Sequence, residues 1–337
     1  MRVPRRAVSV VALVALCAAG VTPASALDVP GPLVEFQTRL SAYAVRAPGH
    51  IGIAVTDVST GLSTGINPGP EMPAASTIKI PVMVEVFRQL ATGKFDLNTR
   101  MTLRRADKDW GSGDLAGARI GSKYPVSRLL SLMIDVSDNT ATNMLIRLVG
   151  RRQINATMLE LGLTHTRLTD FIRSSGTMIR WALRSSPADM AHLLRSMARE
   201  QLIDEWSSRE MLAILRGQQH NSLLPQPLPE GTDIAHKTGT LHDTLNDVGI
   251  VFEGDRPYVI AVMTTDLPTL EAGRRFIRGV SRMAYDALGR FASWRDGNAG
   301  AFPADGERPA IVTPEQQMWT PAQPEPAVPA PEPTTRP

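Results

Sequence analysis

Cysteine is almost absent from this 337-residue chain: Cys17 is the only one, and it lies in an apolar run near the N-terminus. Beyond that run there is no thiol to form a disulfide or act as a nucleophile. The six histidines, at positions 50, 165, 192, 220, 236 and 242, show no metal-ligand clustering, which argues against a zinc hydrolase; no metal or other cofactor is expected. Lysine is scarce too. Of 36 basic residues only five are lysines, at 79, 94, 108, 123 and 237. Excess charge is also missing, because the formal +3 is accounted for by Arg2, Arg5 and Arg6, and 33 basic and 33 acidic residues remain after position 26. That balance gives no footing for nucleic acid. No internal repeat is present, and no apolar run is long enough to span a bilayer comfortably.

The two ends differ from the middle. Arg2, Arg5 and Arg6 precede the apolar run from Ala7 to Ala19, and Ala24-Ser25-Ala26 fits a signal-peptidase site, so residues 1–26 are read as a signal peptide. The expected location is secreted, periplasmic or in the cell envelope. A lipid anchor on Cys17 would need a small residue before it, where Leu16 stands. From Pro303 to Pro337 the chain holds ten prolines among Ala, Glu, Gln and Thr, a composition that does not pack; residues 296–337 are read as a Pro-rich tail able to contact the cell envelope. Between these ends, residues 27–295 suffice for one two-lobed domain, expected to be monomeric and without an integral membrane segment.

Three motifs occur in order: Ser76-Thr77-Ile78-Lys79, Ser137-Asp138-Asn139 and Lys237-Thr238-Gly239. An S-x-x-K alone is common, whereas the ordered triplet marks a serine acyl-transfer site. A serine hydroxyl is a poor nucleophile at neutral pH and needs a base, and a lysine among apolar groups and other cations can shed its proton to become one. Arginine cannot do this, which gives weight to finding two of the five lysines inside the motifs. A helix over residues 76–92, beginning at Ser76, would set Lys79 one turn on, on the same face, and put helix N-terminal N–H groups beside the nucleophile.

Residues 126–150 read as two helices meeting at Ser137-Asp138-Asn139 and ending at Gly150, a junction at which Ser-Asp-Asn could also be merely a helix N-cap. Residues 232–240, 247–253 and 257–265 read as an antiparallel meander, with the third motif on its first strand. On that strand, Gly239 would let substrate backbone approach, Lys237 and Thr238 would attract a carboxylate, and the N–H groups of Thr240 and Ser76 would form an oxyanion hole. His236 stands beside the motif, where a strand histidine is more often structural.

Ser76-Thr77-Ile78-Lys79-Ile80-Pro81, the run from Met133 to Asn143 and Ala235-His236-Lys237-Thr238-Gly239-Thr240 resemble the class A β-lactamase family, and the similarity extends over about residues 32–291. The resemblance implies an α/β fold: a five-stranded antiparallel sheet flanked by helices, an all-helical lobe, and a site between them. It implies that Ser76 is acylated, that Lys79 is the base or relay, that Ser137 shuttles a proton and that Asn139 fixes the lysine and a substrate amide. Lys237 with Thr238 would anchor a carboxylate, and Trp110, before Gly111-Ser112-Gly113, would pack on substrate at the cleft mouth. The implied ligand is a β-lactam or a D-alanyl peptide.

One departure stands out. The family's Ω-loop carries a glutamate that activates the deacylating water, followed by an asparagine, yet here no glutamate occurs between Glu160 and Glu200 and no asparagine between Asn155 and Asn221. Ile172 is expected in the place of that base, with Asp170 a short and displaced substitute. Acylation should survive and deacylation should slow. The family's carboxylate-binding arginine is also missing, Leu245 or Asn246 standing there. Arg274 and Arg275, opening a last helix over 270–290, are the expected replacements. Ser186 followed by Pro187 reads as the start of a helix after a shortened loop.

Overall fold

The structure is a computed structural model that describes residues 30–174, 179–254 and 256–298. The expected signal peptide and nearly all of the Pro-rich tail lie outside the described residues. The first part of the chain forms α1 (Gly31–Ala44), β1 (His50–Asp57), β2 (Ser63–Ile66), β3 (Met72–Pro73), a 3₁₀ turn (Ala75–Ile78) and α2 (Lys79–Ala91). There follow β4 (Arg100–Thr102), β5 (Lys123–Pro125), α3 (Val126–Asp135), α4 (Asn139–Val149), α5 (Arg151–Glu160), β6 (Arg167–Leu168), α6 (Ile179–Ala182) and β7 (Leu183–Ser185). The rest is α7 (Pro187–Ala198), α8 (Glu205–Arg216), β8 (Asp233–Thr240), β9 (Leu245–Phe252), β10 (Tyr258–Thr265) and α9 (Leu270–Gly297).

The main sheet has five antiparallel strands in the order β2-β1-β10-β9-β8, as expected. Alternation along β10 shows why helices cover both faces. Tyr258, Ile260 and Val262 join the core made with α1 and α9, whereas Val259, Ala261 and Met263 join the larger core shared with α2, α3, α4 and α7. The site lies between that larger core and β8, which is the outer strand. No helix among the described residues is long and apolar enough to cross a membrane.

The meander matches expectation to within two residues, and so do the helices around the second motif. Gly150 ends α4 at φ 87°, a left-handed backbone that glycine adopts freely. Ser186 caps α7, accepting from Asp189 N at 3.1 Å, with Pro187 in the first turn. Two boundaries need correcting. Ser76 does not begin an α-helix: it sits in the 3₁₀ turn, and α2 starts at Lys79. The last helix runs seven residues past the expected end, to Gly297. Its added turns bury Phe291 and Ala292, and Arg295 there pairs with the buried Asp57 at 3.3 Å.

Candidate active site

The nucleophile candidate is held by a strained turn. Ala75, directly before Ser76, has φ 49°, an unfavourable backbone for a residue with a Cβ, and it persists because its surroundings fix it. Asn246 of β9 supplies much of that fixing: its buried amide donates to Pro73 O at 2.8 Å and Ala74 O at 3.1 Å, and accepts from Thr264 N at 2.9 Å. Gly239 of β8 completes the contact. A Cβ there would stand 2.9 Å from Ala74 O and 3.1 Å from Ser76 N, so the missing side chain lets the strand lie against the nucleophile turn, beyond any benefit to substrate. The 3₁₀ geometry also keeps the S-x-x-K spacing meaningful, because residues three apart eclipse in such a turn.

Lys79 is fully buried and its amine is the hub of the site. Nζ donates to Ser137 O at 2.7 Å, Ser137 Oγ at 3.0 Å and Asn139 Oδ1 at 2.7 Å, which joins the first motif to the second. Ser137 is itself strained, at φ 57°. Asp138 caps α4, accepting from Ala141 N at 2.8 Å, and also accepts from Leu115 N at 2.8 Å. Burial, and then the second cation at Lys237, hold the Lys79 amine well below the usual lysine range, against the opposing pull of Asp138 and Asp109. Such an amine gives up its proton more readily than a solvated lysine does.

Lys237 is also fully buried, with Nζ donating to Thr238 O at 3.1 Å. Burial brings it down to about 7, while Asp247 and Asp135 pull upward. Thr238 and Thr240 line the cleft beside Ser76, Ser137 and Asn139. His236 does not: its Nδ1 lies 2.9 Å from Asp247 Oδ1 and its Nε2 3.0 Å from Asn221 Oδ1, deep behind the strand. Its two nitrogens are engaged in structure, as expected for a strand histidine.

The cleft holds about 610 Å³, and its opposite wall comes from Ile172, Arg173 and Ser174. Ile172 is buried, and its backbone is clamped by Asn143, which donates to Ile172 O at 3.0 Å and accepts from Ile172 N at 2.8 Å. Asn143 lies one turn after Asn139 on α4, so one helix face holds both Lys79 and this wall. Asp170 is turned to solvent, 3.5 Å from Arg151, and does not line the cleft. Trp110 is 73% exposed beside Gly111 of the cleft, with Lys108 Nζ 5.8 Å from its ring centroid.

Arg274 and Arg275 need correction. Both pair with Glu271 in the first turns of α9, at 3.3 and 3.8 Å, and neither lines the cleft. An acid three and four positions earlier on the same helix claims them both. Asn143, Asn246 and Asp109, all central to the site's construction, were not assigned roles from sequence; the run from Met133 to Asn143 did contain the first.

The five-stranded antiparallel sheet with helices on both faces and a helical lobe beside it is the class A β-lactamase fold. The chain belongs to the beta-lactamase enzyme family, whose model matches residues 35–288. A β-lactamase from Sphaerobacter thermophilus DSM 20745 is 32% identical, with 76% of this chain and 97% of that one covered and a TM-score of 0.70. PBP-A is 31% identical, with 77% and 97% covered and a TM-score of 0.71. The structure of a leucine-to-glutamate variant of PBP-A, 30% identical to this chain, is an acyl-enzyme complex with penicillin G. The extended-spectrum β-lactamase PER-1 of Pseudomonas aeruginosa is 26% identical, with 75% of this chain and 87% of its own length covered.

Proposed function

We propose that this protein is an exported serine hydrolase that attacks β-lactam amides through an acyl-Ser76 intermediate and releases the acyl group slowly. The observation that carries the reading is the fully buried Lys79 amine, pushed toward its neutral form and set 3.0 Å from Ser137 Oγ. As the free amine, Lys79 takes the Ser76 proton as Oγ bonds to the amide carbon; the C–N bond then breaks as Ser137 gives its hydroxyl proton to the leaving nitrogen and receives one from Lys79, which returns to the free amine. The N–H groups of Ser76 and Thr240 stabilise the oxyanion. Lys237 and Thr238 attract the substrate carboxylate, Asn139 holds the substrate amide and Trp110 packs at the mouth. The N-terminal segment supports export.

Slow release rests on Ile172. An isoleucine in the wall of the cleft offers no carboxylate to activate water, and a missing general base costs roughly 10² to 10⁴ in rate. The same observation favours a second reading, in which the site cleaves D-alanyl peptides or serves as a β-lactam or muropeptide binder that is acylated without turnover. Intact-mass spectrometry of the protein after exposure to penicillin G, with peptide mapping, separates these readings. The account expects a one-to-one adduct on Ser76 that persists, and none on Ser76→Ala. A mutant labelled at another residue would contradict the nucleophile assignment, and neither adduct nor hydrolysis in the wild type would contradict the reaction.

A further inference from the structure

We propose that Asp109 is a positioning residue for the acylation centre: its carboxylate fixes the Asn139 amide with Oδ1 toward Lys79 and ties that amide to the cleft wall carrying Ile172. Asp109 Oδ1 accepts from Asn139 Nδ2 at 2.7 Å and from Gly111 N at 3.0 Å, while Oδ2 accepts from Ser174 N at 2.7 Å and Ser174 Oγ at 3.1 Å. Three separate segments of the cleft therefore converge on one carboxylate that is 6% exposed. Its own backbone is pinned to α4, since Asp109 N donates to Thr140 Oγ1 at 3.0 Å and Thr140 Oγ1 to Asp109 O at 3.2 Å.

The chemistry of the chain of bonds has a direction. An ionised carboxylate only accepts, so Asn139 turns Nδ2 to Asp109, which leaves Oδ1 for the N–H groups that Lys79 carries as ammonium or as amine. Burial alone would raise the Asp109 pKa, but the Asn139, Gly111 and Ser174 donors outweigh it and hold the carboxyl below its ordinary value. The charged groups bearing on Lys79 are Lys237, Asp138 and Asp109. Gly111 is part of the construction: a Cβ there would lie 2.2 Å from Ser174 Cβ, so a side chain would drive Ser174 off the carboxylate.

Asp109→Asn is nearly isosteric and breaks this logic, because its one amide oxygen cannot face both Asn139 Nδ2 and Ser174 N. With five lysines in the chain, Lys79 can be followed by lysine-selective ¹³C NMR and assigned by Lys79→Arg. Asp109→Asn should lower the Lys79 midpoint by about half a pH unit or more, because the amine loses a nearby negative charge and a well-placed acceptor. Lys94 and Lys123 should not move. The plateau rate constant for acylation should fall about tenfold as Asn139 loses its hold. A correctly folded Asp109→Asn with an unmoved Lys79 midpoint overturns the proposal, even if its melting temperature drops. A second readout needs no variant: the Asn139 side-chain amide resonances should shift in acid as Asp109 takes a proton, and an amide blind to that titration also overturns it. The rate arm rests on the acyl-serine reading; the titration arm does not. An unlabelled wild type with a shifted Lys79 midpoint in Asp109→Asn would fault that reading and leave the role of Asp109 standing.

Discussion

The two walls of the cleft are built on opposite principles. On one side Lys79, Lys237, Ser137 and Asn139 bury ionisable and polar groups in a dense hydrogen-bonded cluster, with strained backbone at Ala75 and Ser137. On the other, the chain from Thr169 to Ser174 presents the apolar Ile172, and the acid within that segment, Asp170, faces solvent. Buried charge and strain cost stability and are kept where chemistry uses them. Under the proposed reading the difference separates two half-reactions: the first wall would make an acyl-enzyme, and the second would lack the base to break it down.

The comparison is broken most severely from the first wall. Lys79→Arg should slow acylation by roughly 10² to 10⁴, because a permanent cation cannot accept the serine proton. Stopped-flow labelling with a fluorescent penicillin reads this, and an unchanged rate would remove Lys79 as base.

Giving the second wall what it lacks should have the next largest effect. Ile172→Glu should raise steady-state penicillin hydrolysis by about 10-fold or more while the first-turnover rate stays the same. Asn143 holds the backbone at this position, so the new carboxylate would replace a side chain that already lines the cleft. A change confined to the first turnover would show that Ile172 belongs to the acylation machinery instead.

Smaller again is a pH effect on binding. Lys237 has its midpoint at about 7, so its ammonium is present below that value and is lost as pH rises through it. Affinity for carboxylate-bearing substrates should therefore weaken by up to about tenfold between pH 6 and 8. Lys237→Arg keeps its charge throughout and should flatten the profile of KM against pH. Smallest is Asp170→Asn, which should leave both half-reactions unchanged because that side chain lies outside the cleft; a fall in steady-state rate would identify it as the missing base.

Much of the first wall was legible in sequence because its residues come as short motifs whose spacing carries chemistry. The fold was implied by the family resemblance that the same motifs carry, while the meander strands read as apolar runs and the helix junction as Ser137-Asp138-Asn139. What escaped were single polar residues whose partners are far along the chain. Asn246 reaches back 173 positions to Pro73, and Asp109 reaches forward 30 to Asn139 and 65 to Ser174. Neither belongs to a local pattern. The turn at Ser76 was missed for a different reason, since a left-handed alanine is set by tertiary contacts and leaves no trace in helix propensity. Arg274 and Arg275 lie outside the cleft lining, and the spacing already held a reason: Glu271, three and four positions earlier, gives both arginines a partner on their own helix.

The central claim is that acylation is fast and deacylation slow in the same cleft. Rapid-quench mass spectrometry of the wild-type protein with excess penicillin G follows both directly. The account predicts a burst of one acyl group per protein on Ser76, followed by decay of that adduct at a rate at least about 10²-fold slower than its formation. Brisk steady-state turnover with no burst, and no accumulated adduct, would contradict it.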